Sequence, residues 1–301
     1  MKFLPELEAL LKSQGSPAFA AKVLAHAKPG IFLKKQCAVL STERPKLFGL
    51  LKRKPKTTRR GRPVAPGASR FGGLPELPAG FSWPVREGRP MQFLAQLDCA
   101  QLAPFREYTQ LPAVGTLHFF LEQDGCGSLV KLTSSAEPLS PAQPPTGARP
   151  SDFIIPPFPL EPILIPTFPH SETKEFQAMI SDDSEAEAFL EAHEAWARKF
   201  LETQHGENGG RHQVGGYPQA IQGDVWTECE MISRGHIDST DQQLWEQAAA
   251  SAHRWKLLLQ FDTDDDLQVM WGDAGTFYFC ICEDDLRAGR FDQVCSTMQC
   301  G

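Results

Sequence analysis

Two pairs of residues in this chain have the types and spacing to do chemistry. Gln96 and Asp98 stand two apart in QFLAQLD, and Gln260 and Asp262 stand two apart in LLLQFD. A strand's period of two puts each glutamine on the same face as its aspartate. If the segments carrying them are related by a twofold, the pairs line a shared cleft able to bind a polar ligand or peptide. The competing assignment is that each glutamine bonds neighbouring backbone and each aspartate opens the following turn, as aspartates at strand ends commonly do. Arg70, Arg211 and His212 flank the glycine pairs Gly72-Gly73 and Gly215-Gly216. Adjacent backbone N–H groups beside a cation suit phosphate or carboxylate, so an anion pocket is one reading; close packing explains the glycines equally well. Trp83, Gln222, Trp271 and Asp273 complete the candidate cleft residues.

Other chemical devices fail on a single residue each. Asp262, Asp264 and Asp266 have the alternate spacing of a calcium loop, with Asp273 at the twelfth place. Leu267 stands where the sixth-position glycine is required, so an acidic hairpin turn is expected, followed by strand at Val269 to Trp271. His193-Glu194 begins a zinc-hydrolase helix pattern, but Ala197 occupies the second histidine's place. Cys280 and Cys282 share a strand face without a second ligand pair, which predicts buried thiols. There is no G-x-S-x-G elbow, phosphate loop or dinucleotide fingerprint. No cofactor and no metal are expected.

Composition bounds the rest. With 41% hydrophobic and 22% charged residues over 301 positions, the chain reads as globular, able to bury one large core or two fused halves. No apolar run approaches the ~20 residues needed to span a bilayer, and glutamates interrupt the apolar start, so no membrane contact and a cytoplasmic location are expected. The net charge of −7 argues against nucleic acid, except through Lys52, Arg53, Lys54, Lys56, Arg59, Arg60 and Arg62. Removing those seven positive charges from −7 leaves −14 on the remainder. The basic stretch is expected to be a loop, either a phosphate-seeking arm or a solvated segment without aromatics for base stacking.

Several elements must position the candidates. Leucines at helical spacing predict a first short helix; Ser16-Pro17 opens a second, with Pro29-Gly30 as its stop, and Ile31 to Leu40 reads as strand. The prolines between Pro138 and Pro169 predict an extended connector or an edge strand, because proline removes ladder donors. Ser181 to Asp183 caps a helix whose stripe runs Phe189, Leu190, His193, Trp196, Ala197, Phe200 and Leu201. Trp255 to Asp285 reads as three neighbouring strands, and a further helix is expected at Thr240 to His253 with Thr240 and Gln243 as its capping box.

The order of features occurs twice. Gly72-Gly73 to Gly215-Gly216 and Trp83 to Trp226 are both offset by 143, Gln96 and Asp98 to Gln260 and Asp262 by 164, and Gly115-Thr116 to Gly275-Thr276 by 160. Length changes confined to loops point to internal duplication. The predicted organisation is α+β, with duplicated, mainly antiparallel sheet modules and flanking helices. Residues 1–68 form N-terminal helices, a strand and the basic loop; 69–137 the first module; 138–180 the connector; and 181–301 a helix plus the second module.

In FGGLPELPAGFSWP, FLAQLD, HQVGGYPQAIQ, LLLQFDTDDD, MWGDAGTFYF and FDQVCSTMQC, the chain from Ser69 to Gly301 resembles the YwqG-like family of bacterial proteins. The resemblance implies a duplicated α+β fold and no established reaction; genomic neighbourhood associates some relatives with secreted toxins. Nothing carries over to the basic loop. The expected function is a non-catalytic binding protein with a protein or peptide partner. The alternative is a hydrolase or transferase using Asp98 or Asp262 with Arg70 or His212, which requires those groups to converge in one pocket around a perturbed carboxylate.

Overall fold

The computed structural model of the protein describes residues 4–41, 57–122, 127–134, 138–145, 155–205 and 209–301. Two helices open the chain, α1 (Leu4–Gln14) and α2 (Pro17–Ala25). Leu7 and Leu11 bury one face of α1. In α2 the Ser16 hydroxyl accepts from the Phe19 N–H at 3.1 Å, and Pro17 takes the first turn, where a missing N–H loses nothing. Pro29-Gly30 is not a stop, because it lies inside β1 (Lys28–Lys35). After a break at Gln36, β2 (Cys37–Ser41) pairs with β3 (Thr57–Gly61) as a separate two-stranded ribbon. Arg59 and Arg60, expected in a loop, are therefore strand residues, and Arg62 continues the pairing by donating its N–H to the Gln36 carbonyl. Lys52, Arg53, Lys54 and Lys56 lie outside the described residues.

Next come β4 (Arg70–Phe71), β5 (Glu76–Pro78), a small ribbon of β6 (Val85–Arg86) and β7 (Arg89–Pro90), and β8 (Gln92–Asp98). α3 (Cys99–Leu102) and α4 (Arg106–Thr109) lead to β9 (Thr116–Leu121) and β10 (Ser128–Thr133); β11 (Leu139–Pro141) pairs with β5 and precedes β12 (Phe158–Thr167). The remainder is α5 (Lys174–Met179), α6 (Asp183–His205), β13 (Gln213–Val214), α7 (Val225–Ser233), α8 (Gln242–Ser251), β14 (Trp255–Asp262), β15 (Thr276–Cys282), α9 (Glu283–Arg287) and β16 (Cys295–Gln299). No helix among the described residues is long and apolar enough to cross a membrane.

Ten strands form one antiparallel sheet in the order β10-β9-β8-β4-β12-β1-β13-β14-β15-β16. Phe119 of β9 and Phe279 of β15 touch edge to face at 5.4 Å, although six strands separate them in that order. The sheet is thus curled nearly into a barrel. Its inner core joins Ile31 and Leu33 to Leu97, Leu117, Phe261 and Phe277. Alternation sends the intervening side chains outward to three caps. Phe32 and Ile165 meet α1, α2, α5 and α6; Tyr278 and Cys280 meet α7; Phe93 and Phe120 meet Trp83.

The prolines of β12 do not confine it to an edge; it lies at the centre of the sheet. Leu160 donates its N–H to the Ser69 carbonyl, so alternation turns the nitrogens of Pro162 and Pro166 to the same side, beyond the end of the two-residue β4. Where Pro159 has no N–H to give, the Gln36 carbonyl accepts from Arg62 instead.

Two further expectations are corrected. Val269 to Trp271 is not a strand, so Trp255 to Asp285 supplies two strands rather than three; only an isolated bridge joins Asp264 to Val269. Positive φ at Gln268, Gly272 and Ala274 breaks any extended run there. Asp241, not Thr240, caps α8, accepting from the Gln243 N–H at 2.9 Å. In α6, Phe189, Trp196 and Phe200 bury as the stripe predicts, while Leu190 falls on the flank and stays exposed.

Candidate functional site

The glutamines are structural. Gln96 is fully buried; its Oε1 accepts from the Glu76 N–H at 3.0 Å and its Nε2 donates to the Glu76 carboxylate at 3.1 Å. Gln260 Oε1 accepts from the Gln219 N–H at 2.9 Å, and its Nε2 donates to the Arg211 carbonyl at 2.9 Å. Replacing either by leucine leaves buried backbone groups unpaired, so Gln96→Leu and Gln260→Leu should each destabilise by roughly 1–3 kcal/mol in chemical denaturation. Equal effects are expected, since each side chain does the same work in its own half of the sheet.

The aspartates also serve backbone. Asp98 accepts from the Ala100 N–H at 3.0 Å as the N-cap of α3. Asp262 accepts from the N–H groups of Arg211 at 2.8 Å and Thr263 at 2.9 Å and from the Thr276 hydroxyl at 2.6 Å. Their strands, β8 and β14, are separated by four others in the sheet order. Trp83 is buried, its indole donating to the Met91 carbonyl at 2.9 Å. Trp271 stacks edge to face on Phe277 at 4.9 Å, and Asp273 is exposed in the turn that follows. Gln222 lines a separate cavity of about 690 Å³ with Gln299, Glu228 and Trp245.

Arg70, Arg211 and His212 do not assemble into one anion pocket. The His212 ring packs between Phe71 and Phe261. The Arg211 side chain makes no hydrogen bond through Nη1, and burial pulls its pKa down to about 10 against the opposing charge of Asp262. Arg70 donates to the Leu74 carbonyl and lies 3.5 Å from Glu76 Oε2.

What the sequence reading missed is a buried charge cluster. Lys35, at the end of β1, is 2% exposed, and its ammonium donates to both oxygens of Asp264 and to Asp266 at 2.9 Å. Asp264 also accepts from the N–H groups of Gly210 at 2.8 Å and Leu267 at 3.0 Å and from His212 Nε2 at 3.1 Å. The backbone N–H of Asp262 donates to His212 Nδ1 at 3.2 Å, which assigns the proton of that ring to Nε2. Burial alone would raise the Asp264 pKa, but the His212 hydrogen bond and the Lys35 charge outweigh it and hold the carboxyl far below its usual range. Five hydrogen bonds from four donor groups occupy this carboxylate, leaving no lone pair for a substrate. Asp264 therefore acts as a clasp rather than a base. The signal was present in β1, where a period of two puts Lys35 on the face of Ile31 and Leu33 and so demands a buried counter-charge.

Beside this cluster opens a cleft of about 940 Å³. Asp266 and Phe158 form part of its wall, and the Lys35 ammonium lies 5.4 Å from the Phe158 ring centre, so clasp and cleft share a boundary. Arg59, Arg60, Arg62 and Arg70 line it together with Pro156 and Pro157. Neither Asp98 nor Asp262 reaches it. The thiols of Cys229, Cys280 and Cys295 lie elsewhere, in the cap over β14 to β16, where burial pushes those of Cys229 and Cys280 up. Among the described residues no group of three or more His, Cys, Asp or Glu side chains is arranged to hold a metal ion.

A search among curated proteins finds no match. The model of one family, described as Domain of unknown function (DUF1963), matches residues 69–300, which take in the cleft's Arg70, Pro157 and Asp266 and the clasp's Asp264 while leaving Lys35 outside. Since that span is most of the sequence, the chain belongs to the DUF1963 family.

Proposed function

We propose that the protein is a non-catalytic binding protein of the cytoplasm that takes a protein or peptide ligand in the cleft beside β3. The observation that carries this is the disposition of the carboxylates. Asp262 and Asp264 are taken up by intramolecular donors and Asp98 caps α3, whereas a cleft of about 940 Å³ is walled by arginines and prolines. Catalysis needs an acid, base or nucleophile open to the substrate, and none is free among the described residues that line the cleft. Its acidic lining residues, Glu76 and Asp266, are held by Gln96 and Lys35.

An origin by internal duplication, as in YwqG-like proteins, is part of the same reading. It is supported by a strand order that reads alike from both ends and by bulges at Phe93/Ala95 and Leu257/Leu259. It is supported too by His118 and Tyr278, which donate to the carbonyls of Glu76 at 2.8 Å and Gln219 at 2.6 Å, the residues whose N–H groups serve Gln96 and Gln260.

Selection from a random-peptide display library tests the function. Wild type should enrich a defined set of sequences, and Ala38→Trp, which fills the cleft from an exposed position, should lose them with its melting temperature unchanged. Enrichment that survives Ala38→Trp would place the ligand elsewhere. No enrichment, together with a small molecule retained in native mass spectrometry, would make the cleft a metabolite site.

A further inference from the structure

Arg59, Arg60, Gly61 and Arg62 all line the cleft. Side chains on a strand alternate between faces, so a cleft lined by consecutive residues passes the strand's edge or end, and Ala38 of β2, opposite Arg60, lines it too. Among the described residues β3 pairs with β2 alone, and its other edge presents backbone N–H and C=O groups outside any ladder. The C-terminal end of β3 is anchored at Gly61, where a Cβ would stand 1.9 Å from the Pro157 carbonyl oxygen. Arg60 and Arg62 are exposed, Arg59 is half-buried, and none of the three makes a salt bridge among the described residues. Unpaired arginines beside an open strand edge are conspicuous in a chain of net charge −7. Deeper in the cleft, Arg70 is 4% exposed, a cation fixed in place with its Nη1 3.5 Å from Glu76 Oε2.

We propose that the cleft binds an extended acidic segment of a partner protein, added as a strand along β3, with its carboxylates on Arg59, Arg60 and Arg62. Main-chain hydrogen bonds to an open edge supply affinity in this mode, and alternate side chains supply specificity. Apolar side chains of the segment then face Phe158, Pro156 and Pro157. That apolar wall favours a peptide over a nucleic acid, whose backbone would find no partner there. Planar guanidinium groups pair with carboxylates through two parallel hydrogen bonds, which makes arginine the fitting cation for such a ligand. The proposal rests on the cleft being the ligand site and adds the ligand's charge and conformation.

Fluorescence anisotropy on the full chain tests it, with a labelled peptide of alternating glutamate and leucine as probe and a glycine-serine peptide and inorganic polyphosphate as comparators. The acidic peptide should bind saturably, weaken with added salt, and lose about tenfold or more in affinity in R59E/R60E/R62E. Those side chains lie at the surface, so the variant's melting temperature should match wild type; a drop is read against Ala38→Trp, which must also lose the peptide. Backbone amides of β3 should exchange more slowly in the complex. Equal binding of the glycine-serine peptide overturns the acidic assignment and leaves the cleft a peptide site. Binding of polyphosphate alone overturns both. Acidic binding with unchanged β3 exchange overturns strand addition, and no binding of any probe to wild type overturns the proposal outright.

Discussion

Lys35→Met is expected to lower the unfolding free energy by about 3–5 kcal/mol, read from urea denaturation. Removing one partner of a buried ion pair leaves the other charged and dry, and Asp264 is only 1% exposed. Replacing both, as in Lys35→Met/Asp264→Leu, should recover only part of the loss. The second substitution removes the uncompensated charge but strands the Gly210 and Leu267 N–H groups that Asp264 now satisfies. The effect should also depend on pH, with a definite sign. The folded-state pKa of Asp264 is depressed, so its contribution is fully present above its unfolded value of about 3.9 and is lost as pH falls through the folded value. Denaturation series from pH 7 downward should therefore show the gap between wild type and Lys35→Met constant to about pH 5 and narrowing below it. A gap independent of pH would mean that Lys35 stabilises by packing alone.

Gly72→Ala should be nearly as damaging, at about 2–5 kcal/mol. Two causes add. The residue has φ of +61°, where a side chain costs roughly 1–2 kcal/mol, and its Cβ would meet the Ile155 carbonyl oxygen at 2.3 Å. Overpacking against backbone, which cannot move aside like a flexible side chain, adds about 1–3 kcal/mol. Gly67→Ala is the internal control, since it shares a positive φ of +75° but has nothing within 4 Å of the added atom, and should lose only the conformational part. Thermal melts of the two variants separate strain from contact; equal losses would show that close approach at Gly72 contributes nothing.

What could be read from the sequence follows physical range. The alternation in QFLAQLD and WKLLLQFD was legible because one apolar face of a strand is written in consecutive residues. The role of Gln96, Gln260, Asp98 and Asp262 was legible as a choice between two assignments, and backbone bonding prevails for all four. The central place of β12 was not, because counting its prolines ignores which side each missing N–H faces. The clasp was half legible: a lysine on an apolar strand face demands a carboxylate, but Asp264 lies 229 residues away. The cleft was hidden altogether, its walls coming from segments around Arg60, Arg70, Pro157 and Asp266 that only the fold brings together.

The position of β1 bears on how the chain is made. Lys28 pairs with Thr167 and Ile31 with Val214, so β1 leaves the ribosome more than a hundred residues ahead of either partner. Until they emerge an apolar strand with both edges open must wait, and closing such long loops is slow. Its lysines at positions 28, 34 and 35 are well placed to keep that waiting strand from adding to another chain. The residue that later locks into Asp264 would thus first serve as the nascent chain's guard against aggregation.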